Sequence, residues 1–255
     1  MSAMRSRFLI RFLAFGLCCL LTGLACAGCG PGVPSEPSGE ETYLYAPELT
    51  EEELTAVTSE NLLLANKQHP VERSYAPTLS ALPQDAIIHH DSIQMEKTAA
   101  LALLAMLKGM RADGIRDTYV TSGYRSYAYQ EQLFSYYVSQ EKQNNPSLTD
   151  AQAEAIVLTY SAKPGTSEHQ TGLCADFMTE TMSELDNSFE RSRAFEWLSE
   201  NAAKYGFILR YPNGREEVTG YAYESWHYRF VGRKAAIAIR KAGLTLEEYL
   251  AVSGS

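Results

Sequence analysis

His169 and Asp176 stand seven positions apart in the stretch Ser167-Glu168-His169-Gln170-Thr171-Gly172-Leu173-Cys174-Ala175-Asp176-Phe177. Imidazole nitrogen and carboxylate oxygen both ligate zinc, and three protein donors with a water make a catalytic zinc centre. Fully extended, seven residues span roughly 23 Å, so the two can share an ion only if the chain turns between them. Gly172 can supply that turn. A third donor is offered by Glu224-Ser225-Trp226-His227. On a regular strand, positions three apart face opposite sides, so Glu224 and His227 can face one ion only if the chain turns around Ser225. His227 then becomes the third ligand and Glu224 stands one step outside the metal. A carboxylate placed there can take a proton from a water and pass it to a leaving amine. Spacing alone leaves the plainer readings open, since a histidine can be a satisfied polar residue and a loop carboxylate a cap. His69, His89 and His90 stay on that plainer side, because they lie in N-terminal loops without a matching carboxylate. Cys174 is read as a small buried hydrophobe rather than a ligand.

The elements that must position these groups are partly legible. Residues 92–112 are rich in alanine and leucine, with Asp91 or Ser92 available as a cap and Asp113-Gly114 to end them, and they predict a central helix. Thr118 to Thr121 predicts a strand. Helical patterns follow over 127–143 and 149–162, broken at Lys163-Pro164-Gly165 just before the histidine stretch. A helix is expected over 192–204, a strand from Phe207 to Tyr211, and another from Trp226 to Val231. Two C-terminal helices are expected near 232–242 and 246–252, the second opened by Thr245 and Glu248 at capping-box spacing. Helices around short, non-alternating strands predict an α+β fold.

Composition bounds the setting. The 255 residues suit one catalytic domain with a tail, at 45% hydrophobic and 21% charged. Residues 1–28 hold Arg5, Arg7 and Arg11 with no acid, then an apolar run from Phe12 to Leu24 and small residues up to Cys29. That is the build of a secretory signal, and Ala27-Gly28-Cys29 resembles the end of a lipoprotein signal, with lipidation at Cys29. Residues 29–60 read as a Pro/Gly/Ser/Glu tether with an acidic end, leaving 61–255 as the catalytic domain. The expected location is the extracytoplasmic face of a bacterial membrane. Losing the signal takes three arginines and no acid from the 22 basic and 31 acidic residues, so the net charge moves from −9 to −12. Such a charge balance argues against nucleic acid or an anionic membrane face as a partner. Of five cysteines, Cys174 alone lies beyond the signal region, so the domain has no internal disulfide.

The order of motifs carries a resemblance. SxHxxGxAxD followed by ExWHxR, here Ser167, His169, Gly172, Cys174, Asp176, then Glu224, Trp226, His227 and Arg229, resembles the paired signature of zinc D-alanyl-D-alanine carboxypeptidases of the VanY type. Three further stretches are similar: 61–70, Thr121-Ser122-Gly123-Tyr124-Arg125-Ser126 with Gln130, and Tyr205 to Pro212. The resemblance implies an α+β fold in which a small antiparallel sheet carries the zinc site among helices, as in hedgehog and DD-peptidase domains. It implies one Zn2+ per chain on His169, Asp176 and His227, with Glu224 as general base and acid. Arg125 would stabilise charge on the scissile carbonyl, and Ser167 and Gln130 would contact the substrate's C-terminal end. The implied reaction removes the last D-alanine from a peptidoglycan stem peptide. The alternatives are an LD-carboxypeptidase acting on tetrapeptide stems, a peptidoglycan endopeptidase, and a non-catalytic wall-binding lipoprotein.

Overall fold

A computed structural model describes residue 52, residues 58–90 and residues 92–254. A two-stranded ribbon of β1 (Leu79–Ala81) and β2 (Gln94–Glu96) leads into α1 (Lys97–Ala112), β3 (Thr118–Ser122), α2 (Tyr127–Asn144) and α3 (Asp150–Val157). There follow β4 (Cys174–Thr179), α4 (Arg193–Asn201), β5 (Phe207–Leu209), α5 (Glu216–Thr219), β6 (His227–Phe230), α6 (Arg233–Ala242) and α7 (Leu246–Ser253). Strands β3, β4, β6 and β5 lie side by side in that order, each pair antiparallel. This is the expected α+β fold.

The sheet has two unlike faces because its central strands alternate. His227-Tyr228-Arg229-Phe230 is polar and aromatic by turns, and a period of two sends the aromatics one way and the polar groups the other. Ala175 and Phe177 of β4 join Tyr228 and Phe230 in the main core, against Leu103, Met106, Leu107 and Met110 of α1. The Phe177 and Tyr228 rings meet edge-on at 5.7 Å. Cys174 and Asp176 share the opposite face with His227 and Arg229, as the register pairs Asp176 with His227 and Cys174 with Arg229. A second cluster, including Leu62, Ile208, Val231, Ile239 and Leu246, seats α6 and α7.

Several boundaries differ from expectation. The central helix begins at Lys97, not at residue 92, because Gln94–Glu96 pairs with β1. Its cap is Glu96, whose carboxylate accepts the Ala99 N–H at 2.9 Å; Asp91 lies outside the described residues. The helix expected up to residue 162 stops at Val157. There the chain passes through turns that carry Ser161 and Ala162 to Gln130. Strand β4 was not expected as a strand, because all six of its residues are buried and no half-exposed alternation marks it. The expected capping box at Thr245 and Glu248 is present. Among the described residues, no helix is long and apolar enough to cross a membrane. The signal at 1–28, the lipidation at Cys29 and nearly all of the 29–60 tether lie outside the described residues.

Candidate metal centre

Register builds half of the site. Because β4 sets Asp176 directly opposite His227, both side chains rise from the same face as a cross-strand pair. His227 Nδ1 lies 2.9 Å from Asp176 Oδ1. His169 arrives from a 3-10 turn, Glu168–Thr171, closed by Gly172 in the left-handed region at φ +73°. That closure brings His169 Nε2 to 3.2 Å from Asp176 Oδ2. His169 Nδ1–H donates to the Gly123 carbonyl at 2.6 Å, which leaves Nε2 as the lone-pair nitrogen. The two imidazoles stand 5.0 Å apart and nearly perpendicular.

Glu224 reaches the same place through the expected turn, whose His227 N–H donates to the Glu224 carbonyl at 3.4 Å. Its Oε2 lies 3.6 Å from His227 Nδ1, and its side chain keeps 28% of its surface exposed where the two histidines keep 6% and 3%. It is thus the acid here that water and substrate can reach. Arg125 enters from the far side. The β3–β4 register slips between Val120 and Ser122 and brings Ser122 opposite Asp176, a bulge of the kind that re-aims side chains. Arg125 Nε–H donates to Ser122 Oγ at 3.2 Å, and one Nη lies 3.4 Å from Asp176 Oδ2. The other Nη lies 3.5 Å from Gln130 Oε1. Gln130 is buried, and its amide N–H donates to the Ala162 carbonyl at 2.9 Å. Ser167 is buried just ahead of the 3-10 turn, and its hydroxyl is not spent on capping it.

The donor set suits zinc. Two imidazole nitrogens and a carboxylate are borderline and hard donors that commonly hold this ion, and donors around it at 2.0–2.3 Å sit about 3–4 Å from one another. Burial and the Arg125 charge push His169 down, yet Asp176 and Cys174 outweigh them and raise it to about 9. Burial raises Asp176, but both imidazoles overcome that and hold it well below the usual carboxylate range. Burial lifts Glu224 to about 6 against the opposing His227 charge. Cys174 is fully buried, as expected, and it also stands beside the histidines. Its Sγ and the ligand nitrogens of His169 and His227 lie within 4.8 Å of one another, because two residues along a regular strand return to the same face.

Two residues at the site carry no role in the sequence reading. Tyr211 is buried with its ring 4.9 Å from that of His227. Glu168, inside the histidine stretch, lies 3.0 Å from His227 Nε2 and also meets Arg210 and Arg229. Glu168 stands in the signature as a spacer, and its partners lie 42 to 61 positions away. Arg229 pairs with a carboxylate, and that carboxylate is Glu168.

A sheet face that pairs Asp176 with His227, joined by His169 from the 3-10 turn and Glu224 from the turn before β6, defines the class of metallopeptidase sites. The profile of the VanY family, described as D-alanyl-D-alanine carboxypeptidase, matches residues 92–233. A D-alanyl-D-alanine carboxypeptidase of Enterococcus faecalis strain V583 is 35% identical over 223 residues, 88% of this chain and 75% of the relative. Among solved structures, the LdcB LD-carboxypeptidase superposes with TM-score 0.66 at 38% identity, covering 75% of this chain and 86% of that one. A mutant of the vancomycin resistance D,D-pentapeptidase VanY, solved with Zn(II), gives TM-score 0.61 at 36% identity over 75% and 99%. The chain belongs to the VanY family of D-alanyl-D-alanine carboxypeptidases. It is a carboxypeptidase of the VanY and LdcB kind, acting on peptidoglycan peptides.

Proposed function

We propose that this chain is a zinc-dependent D-alanyl-D-alanine carboxypeptidase that releases the terminal D-alanine of peptidoglycan stem pentapeptides. One ion per chain is held by His169, Asp176 and His227. The observation that carries the reading is the convergence of His169 Nε2 and His227 Nδ1 on the two oxygens of one buried carboxylate, with Glu224 3.6 Å from His227 Nδ1. When bound, zinc supplies Lewis-acid chemistry, acidifying a water and polarising a carbonyl. Glu224 accepts the proton of the attacking water and returns it to the leaving amine. Arg125, anchored by Ser122 and Gln130, faces the charge that develops on the scissile carbonyl; a guanidinium stays charged throughout. Ser167 contributes a free hydroxyl toward the substrate's C-terminal end. Gln130 acts through Arg125, since its own N–H groups are turned to Ala162 and Ser161.

The likeness to LdcB supports a second reading, cleavage of an LD bond in tetrapeptide stems. Purified protein with zinc, incubated with penta- and tetrapeptide stems, separates the two by the amino acid released and the stem consumed. The same assay on Glu224→Ala tests the mechanism. Turnover should fall about 10²–10⁴-fold, the usual worth of a general base, while one zinc stays bound. Undiminished release of D-alanine by that variant would remove Glu224 from the chemistry. No acyl-enzyme forms, so penicillin should leave no covalent label on a serine.

The N-terminal segment supports export and anchoring at Cys29. Incorporation of labelled palmitate into the full chain, lost in Cys29→Ala, checks that.

A further inference from the structure

Behind the metal face lies a buried ion network that the reaction itself does not use. Glu168 is fully buried and touches three cationic or imidazole groups at once. Its Oε2 lies 3.0 Å from His227 Nε2. Its Oε1 accepts Arg210 Nε–H at 2.7 Å and Arg229 Nη–H at 2.6 Å. Neither guanidinium has any exposed surface, and each is held from a second side. Arg210 donates in bidentate fashion to Glu247 of α7 at 2.9 and 2.6 Å. Arg229 donates to the carbonyls of Asn61 and Leu63 at 3.0 and 2.8 Å.

We propose that Glu168 is a positioning residue: it accepts the Nε2–H of His227, fixes that tautomer, and turns Nδ1 toward Asp176 and the metal. The inference rests on the reading of His227 as a ligand. An imidazole can present only one lone-pair nitrogen to a metal, and the hydrogen bond at the other nitrogen decides which. Asp176 Oδ1 is on the Nδ1 side, so the ring must carry its proton at Nε2. A carboxylate there is an obligate acceptor and tolerates no other tautomer. The arginines fix the carboxylate's place and leave it ionised. His169 is set by a different device, the Gly123 carbonyl on its Nδ1–H, so the two histidines ligate through different nitrogens.

The test uses the zinc-loaded full chain with nitrogen-15-labelled histidine. In wild type, His227 should show a protonated Nε2 and a metal-bound Nδ1; the reverse assignment would overturn the proposal without any variant. Glu168→Asp keeps a counter-charge for the arginines but withdraws the oxygen from the ring, and Glu168→Gln removes the charge. In folded variants, zinc should bind ten- to a hundredfold more weakly in competition with a chelator. The Nε2–H signal of His227 should shift or vanish, and kcat should fall more than KM changes. Wild-type zinc affinity and an unmoved His227 signal in either variant would sink the role of Glu168. If instead wild-type protein takes up no zinc, or His169→Ala binds it equally well, the metal reading fails and the two failures are told apart.

Discussion

Asp176 does two jobs with two oxygens, one toward each imidazole, and this concentrates the site's proton chemistry. With His169 raised to about 9, the metal-free protein near pH 7 carries protons that a cation must displace. Zinc binding should therefore release protons and tighten as pH rises towards about 9. Titration calorimetry in two buffers of different ionisation enthalpy measures the release; equal heats in both would contradict it. Glu224 behaves oppositely. It serves as a base only when ionised, so kcat/KM should fall as pH drops through about 6. A neighbouring cation favours the carboxylate and moves that acid limb lower, never higher. A pH–rate profile with its acid limb above 7 would assign the base to another group.

At the scale of elements, the 3-10 turn and its glycine decide whether His169 reaches the sheet at all. Gly172 sits at φ +73°, and a Cβ there would stand 3.0 Å from the Glu96 nitrogen, whose N–H donates to the Gly172 carbonyl at 2.8 Å. Gly172→Ala should cost about 1–2 kcal/mol from the left-handed backbone alone and lower the melting temperature by several degrees. It should also weaken zinc binding, because His169 rides on that turn. An unchanged melt with unchanged zinc affinity would show that the turn can relax freely. The need for a turn at Gly172 and another at Ser225 was readable from ligand spacing before any fold was known. The polar and aromatic alternation of β6 was readable too. The strand character of β4 was hidden, since a strand covered on both faces loses its polar rhythm, and with it went the placement of Cys174 beside the histidines. Glu168 was hidden for another reason. A carboxylate with partners dozens of residues away leaves no local pattern, and only the packed structure brings Arg210 and Arg229 to it.

For the molecule as a whole, Glu247 ties the C-terminal helix to this buried layer through Arg210 and also accepts from Asn66. Glu247→Ala leaves Arg210 with one carboxylate instead of two in a place without solvent. Removing one partner of a buried pair commonly costs about 3–5 kcal/mol, and the remaining bond to Glu168 puts the expected loss near the lower end. Urea unfolding followed by circular dichroism measures it; a loss below about 1 kcal/mol would mean that water or another group takes the place of Glu247. The acid side has a definite sign. Burial raises Glu168, but Arg210, Arg229 and His227 together hold it well below the usual carboxylate range in the folded state. Its contribution to stability is therefore complete above the ordinary carboxylate pKa and fades as pH falls beneath it.

The Arg229 hydrogen bonds to Asn61 and Leu63 join residues 168 and 166 positions apart, and Arg210 needs α7 from near the other end. Closing loops of that length is slow compared with forming local helices. The clamp behind His227 is consequently a late event in the life of the chain. A growing or freshly released polypeptide can fold α1 and its neighbours early, but the clamp behind His227 closes only once residues 61–63 and α7 have both reached it.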